Sequence, residues 1–482
     1  MAPAALELKL PECGRISEMV RKETVARSAY LLLSVLASSG DCRAQFWGII
    51  NPLAESGQGF RLYSLQGSAS YYSNGLPPGY YSQSVQTLGY DIGYGGSAEA
   101  GYSHAGTQSA FSAAYSVSYS GRTQYTQFDS WNHAFALAGR RKLGRRVTAS
   151  LEANADLFTS TALLFAPTST SSLAAAPATF DELAAAILAG NVTNSQLASS
   201  LTAASLPAPA AQLQFYGYRS LTTAALADIS YAHSPRLSIS LNTAAGRNQH
   251  ISTSADHTAT GVPPYFIPVS TWVKSSLSVS YSLSPRTQIS VTASGARAVS
   301  YLADTYSAQG SGSIGRIMGR HWFLGASAGS GYNFAVKGTP GSPTGYSASG
   351  SLGYKTLTNT FVGLYSHTLG NNYGFGGYST DSAGGAWHWA HPGSSWSVSA
   401  SGGWQHAKSV LFHSIDSYNA SAALSRQLGA QTSASLQYGY IHTQIPVTAQ
   451  AYKLNGVTLS LAWSPVRRPS ASSPSSRGQT TP

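Results

Sequence analysis

Seven charged side chains, Asp91, Glu99, Arg122, Glu152, Asp156, Asp228 and Lys274, stand inside stretches where apolar and polar residues alternate, and each takes a polar position. Carboxylates facing a guanidinium and an ammonium across water would set up a transverse field able to sort ions. Paired side by side, the same groups would only hold a wall in register. The sequence leaves both readings open.

Other chemistry is thinner. His388 and His391, in Trp387-His388-Trp389-Ala390-His391, lack nearby carboxylates, so the patch reads as interfacial aromatics rather than a metal site. Ser, His and acidic residues are too dispersed to mark a triad. The glycine clusters at 374–377 and 384–385 carry neither the Lys nor the dinucleotide spacing of a phosphate loop. No cofactor, metal or catalytic residue is expected, and the chain is not expected to be an enzyme. A hydrolase whose site assembles across strands stays open as a third reading, since it would leave little local signature.

The elements that must position the seven charges follow from one repeated device. From Phe60 onward, stretches of about 10 to 14 residues alternate apolar or aromatic residues with Ser, Thr, Gly, Gln or Asn, the period of a strand with one apolar and one polar face. Leu277, Val279, Tyr281 and Leu283, for example, interleave with Ser276, Ser278, Ser280 and Ser282. The copies predict an all-β fold, a transmembrane antiparallel β-barrel of about 18 strands (16–20 with hairpins miscounted). Composition agrees. Only 10% of the 482 residues are charged, against roughly 25% in soluble globular chains. Beyond the N-terminus no apolar run reaches the roughly 18 residues of a spanning helix.

Connections and charges give the barrel two different rims. Short turns such as His233 to Arg236 and Ser284 to Arg286 interleave with longer connections rich in Pro, Gly and Asn. Of the 23 Lys and Arg beyond Ala44, 11 lie in or beside the short turns, among them Arg140, Arg141, Lys142, Arg236, Arg286 and Arg426, and no Asp or Glu does. Seven of the 13 acids beyond Ala44 fall in the expected long connections: Asp129, Asp181, Glu182, Asp256, Asp304, Asp381 and Asp416. Arg219, Arg247 and Arg297 break the parity rule. They sit near expected outer strand ends, where the midplane cost of about 2 to 4 kcal/mol fades and long side chains snorkel.

Aromatic residues such as Tyr71, Trp322, Tyr354, Trp387 and Trp396 mark strand ends, at the level of lipid headgroups. With this alternation, turns such as Ser284-Pro285-Arg286-Thr287, and a strand from Gly456 that ends on Trp463, the chain resembles the large porin-like outer-membrane β-barrels of Gram-negative bacteria over nearly all of residues 60–464. The resemblance implies contact with outer-membrane lipid and recognition of the last strand by the barrel-assembly machinery. It departs from the pattern in the 19 residues that follow Trp463.

The expected organisation is a secretory signal peptide over 1–44, a periplasmic N-terminal segment over 45–59, the barrel over 60–464 and a disordered periplasmic tail over 465–482. Initiation at Met19 would give a more typical signal length. Cys42 as a lipidated residue competes with plain cleavage after Ala44, though Asp41 fits a lipoprotein signal poorly. Cys13 and Cys42 both precede that cleavage point, so disulfides and thiolate sites are excluded beyond it. An Ala-rich insertion at 159–214 is expected to be helical, with Thr179-Phe-Asp-Glu182 as a capping box. It acts either as an external cap or as a segment folded into the lumen. The basic turns and tail offer a surface for a periplasmic partner. They form no aromatic-interleaved groove, so the formal charge of +11 does not imply nucleic acid.

A barrel this wide leaves an aqueous bore, which predicts a channel for passive passage of small polar solutes. The alternatives are a non-conducting surface adhesin or the outer-membrane component of polysaccharide export.

Overall fold

The computed structural model describes residues 59–73, 90–124, 129–159, 166–167, 211–212, 219–251, 269–301, 303–319, 321–337, 344–372, 376–391, 393–409, 413–445 and 450–465. The period-two pattern becomes eighteen long strands. They are β1 (Gly59–Ser73), β2 (Tyr90–Ala105), β3 (Ser109–Arg122), β4 (Ser130–Lys142), β5 (Val147–Thr159), β6 (Arg219–Ala232), β7 (Leu237–His250), β8 (Ser270–Ser284) and β9 (Thr287–Ser300). The second half comprises β10 (Asp304–Met318), β11 (Trp322–Lys337), β12 (Thr344–Lys355), β13 (Asn359–Asn372), β14 (Gly376–Ala390), β15 (Trp396–Ser409), β16 (His413–Gln427), β17 (Thr432–Ile445) and β18 (Gln450–Trp463).

Each strand pairs antiparallel with its neighbours in sequence, and β1 also pairs with β18, from Leu65 opposite Trp463 to Ser73 opposite Asn455. The sheet is therefore a closed barrel without an edge. Ser464 Oγ donates to Tyr63 O at 2.7 Å beside this seam.

The short turns follow from local chemistry. In the two Ser-Pro-Arg turns the hydroxyl of Ser234 accepts from Arg236 N at 3.2 Å and Leu237 N at 3.0 Å, and that of Ser284 accepts from Arg286 N at 3.2 Å. Proline fixes the first corner and the serine oxygen holds the next amides. Gly319 and Gly393 take left-handed φ values of 65° and 82° at two further short turns.

The opposite rim departs from expectation. Its connections are not uniformly long: residues 301–303, 373–375 and 410–412 suffice for three of them. Asp304, Asp381 and Asp416 accordingly lie within β10, β14 and β16, with side chains on the outer face. Ladder pairing there continues through Gly, Tyr, Ser and His residues whose composition reads as loop. The helical insertion expected at 159–214 falls almost wholly outside the described residues, which include only a two-residue ladder between Ala166–Pro167 and Ala211–Gln212. The expected signal peptide and tail lie outside them as well.

Alternation gives the wall two faces and no conventional core. Large apolar side chains point outward and stay exposed, with Leu151 62% and Val291 66% accessible. In water that surface would drive aggregation, whereas in lipid it is the matching solvent. Inward positions are dominated by Ser, Thr, Gly, Ala, Asn and Gln. Facing hydroxyls bond across strands, as in Ser327–Ser349 at 2.7 Å, Ser366–Ser382 at 2.7 Å, Ser401–Ser421 at 2.6 Å and Ser435–Ser460 at 2.6 Å. Small hydroxyl residues recur inside because each can satisfy the next.

Outward aromatics gather at both ends. Near the short turns Trp322, Tyr354, Phe361 and Trp387 follow one another across β11 to β14, with successive ring centroids 4.5, 6.3 and 6.4 Å apart. Tyr94, Tyr119 and Trp131 do the same at the other end, at 6.0 and 5.0 Å. Arg297 lies over the Tyr306 ring and pairs with Asp304 at 2.9 Å. That outward cation is thus compensated at the outer margin.

Candidate pore lining

The register sets all seven sequence-derived candidates on the inward face, on β2, β3, β5, β6 and β8. They form three groups.

The first is at the outer mouth. Asp91 is fully buried, and its Oδ1 accepts from Ile92 N at 2.8 Å, Gln124 N at 3.2 Å and Thr123 Oγ1 at 3.3 Å. Its Oδ2 stands 3.6 Å from the Arg122 guanidinium, which lies 5.2 Å above the centre of the Tyr72 ring. That ring has room because Gly93 and Gly456 flank it; a Cβ on Gly93 would lie 3.0 Å from Tyr72. Arg122 N also donates to Asp129 Oδ1 at 2.7 Å. This buried, multiply bonded pair is built into the wall where β3 ends.

The second group lies toward the short turns. Arg140 and Asp228 both pair in register with Ser150, which brings guanidinium and carboxylate within electrostatic reach. Glu152, 6% accessible, is the next inward residue of β5. Sequence reading had placed Arg140 on the basic rim. Its signal was parity, since Ala134, Ala136, Ala138 and Arg140 make one continuous inward run.

The third group spans mid-wall. Glu99, Ser116, Ala134 and Asp156 share one cross-strand row, and Glu152, Leu226, Ala244 and Lys274 share another. Partners three strands apart are separated by about 14 Å along the wall. Asp156 accepts from Asn154 Nδ2 at 2.7 Å, and Lys274 is exposed to the bore. One inward step above Lys274, the Trp272 ring covers Gly246, where a Cβ would approach within 2.6 Å.

A second inward aromatic was also missed. A bulge between Leu62 and Ser64 turns Tyr63 inward, where it is 1% accessible and lies over Gly101. In both cases the space is made by a glycine on a neighbouring strand, which no local pattern reports.

The remaining wall is different in kind. No Asp or Glu occupies an inward position of β9 to β18. His388 is inward, while Trp387 is outward and donates Nε1 to Asn359 Oδ1 at 3.0 Å. Among the described residues no group of three or more His, Cys, Asp or Glu is arranged to hold a metal.

These features define a membrane-spanning β-barrel with a polar bore and a one-sided charge distribution. No protein-family model and no curated protein matches the chain. Solved structures it resembles include a BenF-like porin from Pseudomonas fluorescens Pf-5, at 11% identity, 84% of this chain, 98% of that chain and a TM-score of 0.42. Pseudomonas aeruginosa OccK2 (OpdF), crystallised in complex with glucuronate, matches at 9% identity over 85% of this chain and all of its own, with a TM-score of 0.43. The outer membrane protein opdK of the same species gives 10%, 83%, 97% and 0.41. At these identities and scores the likeness carries no argument; closure, width and the two faces carry the reading.

Proposed function

We propose that the chain is an outer-membrane channel of a Gram-negative bacterium for the passive passage of small polar solutes, and not an enzyme. The observation that supports this best is closure of eighteen strands around an inward face of small hydroxyl, glycine and amide side chains. A barrel of eight strands is filled by its own side chains, whereas one of 16 to 18 leaves water inside. Asp156, Asp228 and Lys274, with Glu99, Glu152 and Arg140, supply the field that biases ions. Asp91 and Arg122 keep the outer mouth in shape.

The test is conductance of the purified, refolded chain in a planar bilayer. The expected result is large, steady, ohmic steps with a reversal potential near zero at high salt. A closed bilayer containing protein that still shows the heat-dependent gel shift of a folded barrel would overturn the channel in favour of a non-conducting surface role.

A further inference from the structure

The lipid-facing wall is not uniform around the barrel. Over β13 to β15 its outward mid-strand positions are Gly363, Gly385, Ala400 and Gly402, continuing small outward residues such as Gly312, Ala328 and Gly350 on β10 to β12, whereas β5, β7 and β9 carry Leu151, Leu241 and Val291. The missing side chains leave a groove of about 560 Å³, floored by backbone and bordered on the short-turn side by Trp322, Tyr354 and Trp387.

Directly above the groove, the same sector carries outward polar groups. One cross-strand row reads His367, Asp381, His406, Asp416 on β13 to β16. His367 Nδ1 meets Asp381 Oδ1 at 2.7 Å, and His406 Nδ1 meets Asp416 Oδ1 at 2.7 Å. Tyr365 also donates to Asp381 Oδ1, at 3.0 Å. Among the described residues this leaves the acceptor Asp381 Oδ2 and the ring nitrogen His406 Nε2, on adjacent strands, in no hydrogen bond.

From these two features we infer that the β13–β16 wall is the surface on which a second copy of this chain packs within the membrane. The inference rests on the membrane reading above. Lipid tails fill grooves but offer no hydrogen bonds. Protein contacts in membranes combine small residues, which allow close approach, with polar side chains that bond across. Self-recognition follows from the order of the row. Two barrels inserted the same way up are related by a two-fold axis along the bilayer normal, and such an interface is self-complementary. With the axis between Asp381 and His406, the carboxylate of Asp381 meets the partner's His406, whose ring donates from Nε2 to it when both ring nitrogens carry a proton, and the reverse holds equally. The wall over these four strands is about 19 Å wide and the apolar band about 25 Å tall. The contact therefore reaches at most roughly 480 Å² per copy, below the roughly 800 Å² of standard stable complexes, and the dimer should be reversible.

Cysteine cross-linking in proteoliposomes tests this, because the chain beyond Ala44 contains no cysteine of its own. Ala383→Cys, on β14 beside the proposed axis, is expected to give a disulfide-linked dimer on oxidation. Leu151→Cys, nine strands away on β5, is expected to stay monomeric. In a fluorescence energy-transfer titration, His406→Ala and the groove-filling Gly385→Trp should each raise the apparent dissociation constant at least tenfold, with heat-dependent gel shift unchanged. Equal cross-linking at both sites, or none at Ala383→Cys, overturns the inference. So does a monomer that retains phospholipid in native mass spectrometry, which would assign the groove to lipid. A chain that shows no heat-dependent shift at all would refute the membrane reading instead.

Discussion

The wall from β2 to β8 and the wall from β9 to β18 are made by the same alternation and do different things. Among the described residues the first carries every inward Asp and Glu, and it is joined at the outer rim by the connections 74–89, 160–218 and 251–269. The second is lined by hydroxyl pairs, and three of its outer connections are three residues long. Fold stability in both comes from the closed ladder and the lipid-facing side chains, so inward residues are free to vary. One half uses that freedom for charge. The other, apart from Lys355 at the short-turn end of β12, keeps a neutral surface on which hydroxyl partners satisfy one another. Function is concentrated where the wall departs from its simplest composition.

The sharpest way to break this contrast is to remove one member of the buried pair. Asp91→Ala leaves the Arg122 guanidinium, 10% accessible, facing the vacated position of its carboxylate, and the Gln124 amide and Thr123 hydroxyl of the β3–β4 connection lose their acceptor. Breaking a buried ion pair costs about 3 to 5 kcal/mol. The expected outcome is a loss of that size in urea-dependent folding into lipid vesicles. The double variant Asp91→Ala with Arg122→Met should recover most of it, because no uncompensated charge remains.

The next effect is on ions. Lys274→Glu reverses the cation that shares a row with Glu152, and should raise the preference for cations over anions. Asp156→Asn with Asp228→Asn should lower it. A unit charge about 4 Å from a passing ion in water is worth about 1 kcal/mol, roughly fivefold in a permeability ratio. The shift should be read from reversal potentials in 0.1 M salt and should largely vanish at 1 M, where the Debye length falls to about 3 Å. The same exchange of charge placed on β9 to β18, for instance Ser327→Glu, tests whether position within the barrel matters. A shift as large as that of Lys274→Glu would erase the distinction between the two walls.

How far these regions were legible in the sequence follows the range of the interactions. Strands and inward charges were readable because parity is local: Asp156 sits between outward Ala155 and Leu157, and Lys274 follows outward Val273. Arg140 lies beside a short turn as read, but its inward face went unnoticed because Arg141 and Lys142 follow it. Asp381 and Asp416 were read as loop because polar residues surround them. They are strand residues because cross-strand partners, His367 and His406, accommodate their carboxylates, and such partners lie 14 and 10 residues away. The inward rings of Tyr63 and Trp272 depend on Gly101 and Gly246, which are contributed by neighbouring strands. Local pattern gives the face of a residue; only register gives its company.

The smallest expected effect distinguishes pairs within the neutral wall. Ser435 and Ser460 are 3% and 7% accessible and bond at 2.6 Å. Ser435→Ala strands the Ser460 hydroxyl away from water, at a cost of about 1 kcal/mol. Replacing both serines by alanine removes donor and acceptor together and should be nearly neutral. Ser327 and Ser349 bond at 2.7 Å but are only part-buried, so water can replace either partner and Ser327→Ala should change stability by a few tenths of a kcal/mol at most. Vesicle refolding of the three variants separates the cases. A cost at Ser327 equal to that at Ser435 would mean that the bore is dry along β11 and β12, and the neutral wall would then be a packed surface instead of a wet one.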